Sequence, residues 1–135
     1  MVKPPTVVDL TWIGELKFSG VSHHASMTID SAGVAGPSPV QALGFALAGC
    51  MTTDVAYILT RGRHPFRALR SHLVADRAPG EPHRFTRMTL EIVVEGKVPA
   101  DAVDRAIALS RDKYCSVWHS MRQDIEFTVS AHVHA

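Results

Sequence analysis

Two cysteines, Cys50 and Cys115, are the only thiols in this chain of 135 residues, and each lies in a distinctive segment. Cys50 lies within an apolar stretch of helical character, residues 39–54. Cys115 lies in the sequence Lys-Tyr-Cys-Ser-Val at 113–117, where a second helical pattern is interrupted. Their separation of 65 positions matches neither a Cys-x-x-Cys redox motif nor a short zinc knuckle. The pair instead suits a chemistry in which one sulfur reacts and the other resolves the product.

The chemistry of such a pair depends on ionisation of a thiol. A cysteine becomes a nucleophile as the thiolate, which positive charge, a helix N-terminus or a hydrogen-bond donor favours. Attack on a peroxide O–O bond gives a sulfenic acid, which a second thiol captures as a disulfide. Cys50 is the better candidate for attack because it follows Gly49, which leaves space for a substrate, and because its apolar neighbours suit an organic peroxide. Asp54, one helical turn further on, could orient a donor. The competing interpretation is that both cysteines are inert buried residues.

Length and composition are those of an ordinary globular chain, and we expect a single domain spanning residues 1–135. Hydrophobic residues make up 46% of the chain, charged residues 20%, and the net charge is +1, so we expect no nucleic acid and no membrane partner. The apolar stretch 39–60 contains Gln41, Thr52, Thr53 and Asp54, which favours a core helix over a membrane span. Because residues 1–6 lack the apolar core of a signal peptide, we expect a cytoplasmic location, where thiols stay reduced outside redox cycles.

The first half of the chain predicts strands followed by one long helix. Residues 7–18 alternate as a strand, Gly20 and the pair His23 and His24 mark a turn, and residues 25–30 form a hairpin partner. After a Gly-rich loop, Ser38 and Gln41 form a capping box that starts a helix running to about residue 60. This helix is apolar nearly all round and must be covered on most sides, from which we infer a partner subunit.

The second half predicts two strands, two helices and a final strand. The strands cover residues 68–78 and 85–95, and Pro99 opens a helix in which Val103, Ile107, Ser110 and Tyr114 recur at helical spacing. Ser116 could cap a short helix, and residues 125–133 alternate as a last strand. The order β-β-α-β-β-α-α-β lacks the regular alternation of a doubly wound sheet and indicates an α+β fold.

Histidines offer further candidates. His119 lies four residues beyond Cys115 and could face it and lower the pKa of that thiol, although a packing or surface role competes. The pair His132 and His134 has the spacing of metal ligands on a strand, but a frayed, solvated terminus is the preferred interpretation. We therefore expect no metal and no cofactor.

Two segments together resemble a known family. Four groups of residues resemble the first cysteine helix of the OsmC/Ohr family, the osmotically inducible and organic hydroperoxide resistance proteins. They are Ser38-Pro39, Leu43, Ala48-Gly49-Cys50 and Asp54-Val55. The segment 113–117 is similar to the second cysteine motif of the OsmC-like branch. The intervening strand pair is matched by Pro82, Phe85-Thr86 and Gly96.

This resemblance implies an OsmC-like fold, with antiparallel sheets packed on two long central helices in an intertwined homodimer and active sites at the subunit interface. It also implies a stress-response oxidoreductase, a thiol peroxidase that reduces organic hydroperoxides. Cys50 would then be the peroxidatic thiol and Cys115 the resolving thiol, with the disulfide reduced by a dithiol such as a lipoyl group.

The chain departs from the family pattern beside the first cysteine helix. Members with peroxidase activity usually carry a Glu there and an Arg from the N-terminal strands, which form a charged pair over the thiolate. Here Val40 and Gln41 occupy the first place, and no Arg precedes Arg61. Lys17, His23 or His24 could replace the cation. The departure motivates two alternatives, a non-catalytic module that binds a small ligand and a redox-sensing dimer.

Overall fold

The computed structural model describes residues 2–135, which form two compact units, residues 2–43 and residues 44–135. The long helix begins in the first unit and continues through the second. The single domain expected over residues 1–135 stays a prediction. Each unit is described below by itself.

The first unit is an antiparallel sheet of three strands, β1 (Asp9–Gly14), β2 (Lys17–Ser22) and β3 (Ala25–Asp30), in the order β1-β2-β3. The prediction of one strand over residues 7–18 is therefore wrong, because a tight turn at Glu15, with φ at +50°, folds this segment into a hairpin. Gly20 lies inside β2 and not in a turn. The turn falls at His23 and His24, as expected, and the bounds of β3 are confirmed.

The loop that leads into the long helix is fixed by one carboxylate. Asp30 is buried and accepts hydrogen bonds from the backbone N–H groups of Ala32, Val34 and Ala35. These bonds hold the pKa of the Asp30 carboxyl below its ordinary value. The close approach of the loop to β3 requires glycine at Gly36, because a Cβ there would collide with the carbonyl oxygen of Thr28.

The predicted capping box starts helix α1 (Pro39–Arg61) as expected. The Ser38 Oγ accepts a hydrogen bond from the Gln41 N–H at 3.1 Å, and the Gln41 Oε1 accepts one from the Ser38 N–H at 2.9 Å. The buried side of α1 joins the hydrophobic core of the second unit through Leu47, Met51, Val55 and Leu59. By length and composition α1 would also suit a membrane span, the one such helix in residues 2–135.

The second unit contains a mixed sheet of three strands, β4 (Ala68–Arg77), β5 (Phe85–Glu95) and β6 (Glu126–His134), in the order β4-β5-β6. Strands β4 and β5 pair antiparallel, whereas β5 and β6 pair parallel. The expectation of antiparallel sheets is wrong here because the helical segment after β5 carries the chain back across the sheet, and such a crossover makes the next strand parallel. Because β6 is paired as far as His134, the frayed terminus expected there is also wrong.

The crossover consists of α2 (Ala100–Leu109), a wide π-turn (Ser110–Tyr114) and the short helix α3 (Ser116–His119). One chain thus provides one long helix, α1, and the second long central helix stays a prediction about a dimer. The π-turn closes with a hydrogen bond from the Cys115 N–H to the Ser110 carbonyl at 2.8 Å. Continued α-helical spacing would place Tyr114 inward, but the extra residue turns Tyr114 to the surface and buries Cys115.

Candidate active site at the cysteine pair

The two cysteines meet in the second unit beside a carboxylate. The sulfur atoms of Cys50 and Cys115 and one carboxylate oxygen of Asp54 all lie within 4.8 Å of one another. Cys50 and Asp54 share one face of α1 because they are four residues apart, and both are half-buried. The π-turn delivers Cys115 from the other helical segment. The fold therefore brings together three candidates that the sequence separates.

Cys115 lies in an apolar setting with one backbone donor. Its side chain is 0% exposed, and its Sγ accepts a hydrogen bond from the Trp118 N–H at 3.4 Å, so that Cys115, and not Ser116, caps α3. Burial is the main reason that the pKa of Cys115 is raised to about 11. The nearby Cys50 and Asp54 raise this pKa further, and the hydrogen bond from the Trp118 N–H lowers it. Cys115 is accordingly a neutral thiol near pH 7.

Asp54 is held by a residue that we did not single out from the sequence. Ser110 is fully buried, and its Oγ donates a hydrogen bond of 2.7 Å to the Asp54 Oδ2. The signal was present, since Ser110 is a polar residue at an inward position of the second helical pattern. A buried hydroxyl needs a partner, and here the partner is the carboxylate beside the two thiols.

The described contacts of the charged side chains bring no cation to the carboxylate of the site. Among the ion pairs formed by residues 2–135, none includes Asp54. Arg111 follows Ser110 directly, but its guanidinium donates to the carbonyl of Phe127 and lies 5.0 Å from the centre of the Phe127 ring. It also lies 5.8 Å from the Trp118 ring, so its contacts serve the packing of α3 against β6.

The other residues that the sequence suggested as helpers of the thiols, Lys17, Gln41, His23 and His24, make their described contacts with residues other than the cysteines. Lys17 pairs with Glu15 at 2.9 Å, and this hydrogen bond raises the pKa of Lys17. Gln41 is engaged in the capping box, and His24 is exposed in a hairpin turn with His23, whose backbone is left-handed at φ +53°. All four belong to the first unit.

In the second unit, His119 contacts the backbone of the π-turn. Its Nε2 lies 2.9 Å from the carbonyl oxygen of Arg111, and its side chain is exposed. The imidazole is therefore engaged with that carbonyl. His132 lies on β6 and approaches Glu91 of β5 at 3.4 Å, on the exposed face of the sheet.

Comparisons with known proteins agree on the family. The model of the family described as OsmC-like protein matches residues 30–130. Protein YhfA of Escherichia coli (strain K12) is 34% identical over 125 residues, which cover 90% of this chain and 93% of YhfA.

Solved structures agree on the fold. A hypothetical protein from Aquifex aeolicus VF5 superposes with a TM-score of 0.90 at 24% identity, covering 97% of each chain. An organic hydroperoxide resistance protein, OsmC, from Legionella pneumophila gives a TM-score of 0.68 at 8% identity, covering 98% of this chain and 100% of that one. At these identities the two structures establish the fold alone. With the family match over most of its length, the chain belongs to the OsmC/Ohr family as an OsmC-like protein, which relates it to proteins with redox or peroxide-stress roles.

Proposed function

We propose that this protein reduces organic hydroperoxides with Cys50 as the reacting thiol and Cys115 as the resolving thiol. The observation that carries the proposal is the approach of the two sulfur atoms to within 4.8 Å. Family membership supports it, as does the fold shared with a protein named for organic hydroperoxide resistance.

The exposure of the two sulfurs favours Cys50 for the first step. Cys50 is half-buried, whereas Cys115 is 0% exposed and has a pKa of about 11. In this step Cys50 attacks the O–O bond of the hydroperoxide as the thiolate, and a sulfenic acid and an alcohol are formed. Sulfur is oxidised, the peroxide bond is broken, and the proton released by the thiol ends on the alcohol.

The second step forms the disulfide. The Cys115 sulfur attacks the Cys50 sulfenic acid, and the hydroxyl group leaves as water with the proton of the Cys115 thiol. Asp54 lies within 4.8 Å of both sulfurs and is placed to accept that proton on its way to water. The sulfurs must close to about 2 Å, which side-chain rotation at Cys50 on the half-buried face of α1 would supply. An external dithiol, of the lipoyl type, then returns the disulfide to two thiols while becoming a disulfide itself.

One observation favours a second candidate. No ion pair in the described residues brings a cation to Asp54, and the residues that act on the pKa of Cys115 include no cation. A thiol pair without such support would react slowly, which suits a redox-sensing dimer better than sustained turnover. A module that binds a small ligand remains the third candidate. For all three we propose a cytoplasmic homodimer without nucleic acid or membrane partners.

The decisive experiment adds an organic hydroperoxide to the reduced protein and follows both thiols by mass spectrometry. We expect a Cys50–Cys115 disulfide in the native protein, a trapped sulfenic acid at Cys50 in Cys115→Ser, and no hydroperoxide consumption by Cys50→Ser. Hydrogen peroxide serves as the substrate control. Repeated turnover with dihydrolipoate distinguishes an enzyme from a sensor, which would stop after one oxidation. Two intact thiols after prolonged exposure would exclude both.

A further inference from the structure

The donor atoms at the cysteine pair also have the composition of a metal site. Two sulfurs and a carboxylate oxygen lie within 4.8 Å of one another, and they are the one such group of three or more ligand residues found in residues 2–135. Zinc binds sulfur at about 2.3 Å and carboxylate oxygen at about 2.1 Å, so tetrahedral ligands lie about 3.6–3.8 Å apart. An inward movement of about 1 Å, within reach of side-chain rotation, would therefore complete the geometry.

We propose that the reduced protein binds one Zn²⁺ per chain through the sulfurs of Cys50 and Cys115 and the carboxylate of Asp54. From the sequence we expected no metal, because the spacing that invited one was that of His132 and His134. The ligands that meet in space come instead from α1 and from the end of the π-turn. With three protein ligands the fourth position stays open to water or to a small exogenous ligand.

Two hydrogen bonds already orient this donor set as outer-shell groups orient metal ligands. The Ser110 hydroxyl donates to the Asp54 Oδ2 at 2.7 Å, which fixes the carboxylate and leaves its other oxygen for a cation. The Trp118 N–H donates to the Cys115 Sγ at 3.4 Å, as backbone groups do to metal-bound thiolates. Ser110 and Cys115 are fully buried, so both bonds are rigidly placed.

The charge of the fully deprotonated donor set matches a divalent ion. Two thiolates and a carboxylate would carry three negative charges, and no described ion pair neutralises Asp54. A divalent ion reduces that total to one. Thiolate ligands select zinc and other soft or borderline ions over Mg²⁺ and Ca²⁺, which prefer oxygen.

Zinc binding and oxidation of the two cysteines to a disulfide must exclude each other, because both use the same sulfur atoms. When Zn²⁺ replaces the protons of two thiols, two protons are released and the metal forms two sulfur bonds and one oxygen bond. Formation of a Cys50–Cys115 disulfide removes two electrons and leaves both sulfurs neutral, so neither remains a thiolate ligand and the oxidised protein keeps only Asp54. Oxidation of the thiols by a hydroperoxide therefore releases the metal, and bound zinc protects the thiols.

The test titrates Zn²⁺ into the reduced, metal-free protein in competition with a chromophoric chelator, and repeats the titration with Co²⁺ to record the coordination spectrum. We expect one equivalent per chain, with sulfur-to-cobalt charge-transfer bands and the d–d bands of a tetrahedral site. Cys50→Ser and Asp54→Asn, both at half-buried positions, should abolish or strongly weaken binding. Ser110→Ala should weaken it by about 10-fold or more. Protein oxidised with diamide should bind none, which tests the sulfurs without any substitution.

The matched control is the double variant His132→Asn and His134→Asn, which leaves the thiols untouched and should retain one tight equivalent. Loss of the equivalent in this control, or its persistence in diamide-oxidised protein, would overturn the proposal. Absence of any tight binding by the reduced native protein would do so too. Zinc binding does not depend on peroxide chemistry. Oxidation of the metal-free protein by a hydroperoxide is therefore measured separately, so that failure of the zinc proposal can be distinguished from failure of the proposed peroxidase function.

Discussion

At the scale of single residues, the environments of the two cysteines differ more than their sequence contexts indicate. Cys115 is sealed in the core and its pKa is raised to about 11, chiefly by burial, whereas Cys50 is half-buried on α1. The order of reaction proposed here follows from this difference. A buried thiol beside Cys50 is placed to attack a sulfenic acid there, and it is shielded from a substrate that arrives from solvent.

The raised pKa of Cys115 predicts a loss of stability at alkaline pH. An unfolded thiol has a pKa near 9.0, so between that value and about 11 the unfolded chain loses the proton that the folded protein keeps. The stabilising contribution is complete below the unfolded pKa and is lost as pH rises through the window. We expect the native protein to lose about 2 kcal/mol more than Cys115→Ala between about pH 8 and pH 10.5. Urea unfolding of both proteins under reducing conditions measures this, and parallel pH profiles would contradict it.

Ser110→Ala removes the hydroxyl that donates to Asp54. Because the acceptor is a half-buried carboxylate, we expect the free energy of unfolding to fall by about 1–2 kcal/mol. The matched control is Ser71→Ala, which removes the neutral bond of 2.9 Å between the Thr52 and Ser71 hydroxyls, and it should cost less. Equal losses in the two variants, measured by chemical denaturation, would show that Ser110 has no special role at the carboxylate.

At the scale of elements, the π-turn decides which residue enters the site. Ser110 and Cys115 are both buried although five positions separate them, because the turn closes one residue later than an α-helical turn. The parallel β6 follows from the same crossover, since the helical segment returns the chain to the end of the sheet where β5 begins.

Gly49→Ala tests whether the open space beside Gly49, at the centre of α1, is occupied by a partner or a ligand. A Cβ at Gly49 would meet nothing within 4 Å, so alanine should stabilise the helix by about 0.5–1 kcal/mol. The control is Gly36→Ala, where the Thr28 carbonyl leaves no room and stability should fall. Thermal unfolding compares the two. If Gly49→Ala is destabilised, a partner or ligand occupies this space. The rate at which the Gly49→Ala variant reacts with a hydroperoxide tests whether Gly49 leaves space for the substrate, as expected from the sequence.

At the scale of the whole molecule, the single chain leaves much apolar surface uncovered. Large apolar side chains of the first sheet and its turn are about half exposed or more, and Phe45 on α1 is 70% exposed. These side chains of the sheet and its turn include Leu10, Trp12, Ile13 and Leu16. Exposed patches of this kind mark interaction surfaces, which is why we propose that a second copy covers them.

Trp12→Glu tests this proposal. Trp12 is 64% exposed on β1, and a carboxylate there would have to be buried at the expected interface. We expect the native protein to be a dimer by light scattering, and the substitution to raise the dimer dissociation constant by about 30-fold or more. Thr89→Glu, which adds the same charge at an exposed polar position of β5, should leave the dimer intact. A native protein that is monomeric at all accessible concentrations would refute the homodimer.

Local interactions made part of this protein readable from its sequence. The capping box of Ser38 and Gln41 set the start of α1, and alternation gave β3 and β5 their bounds, because hydrogen bonds and side-chain patterns within a few residues determine these features. The two cysteine motifs were sufficient to identify the family, and they designated the thiol pair as the candidate site.

Tertiary structure decided the rest. The hairpin between β1 and β2 interrupts a segment that alternates as one strand, and the parallel pairing of β6 depends on a crossover. Ser110 could be recognised as a partner of Asp54 only after the helical segments had packed, because their contact spans 56 positions of the chain. Sequence patterns report interactions between near neighbours, whereas this site is built from side chains that only the folded chain brings within bonding distance.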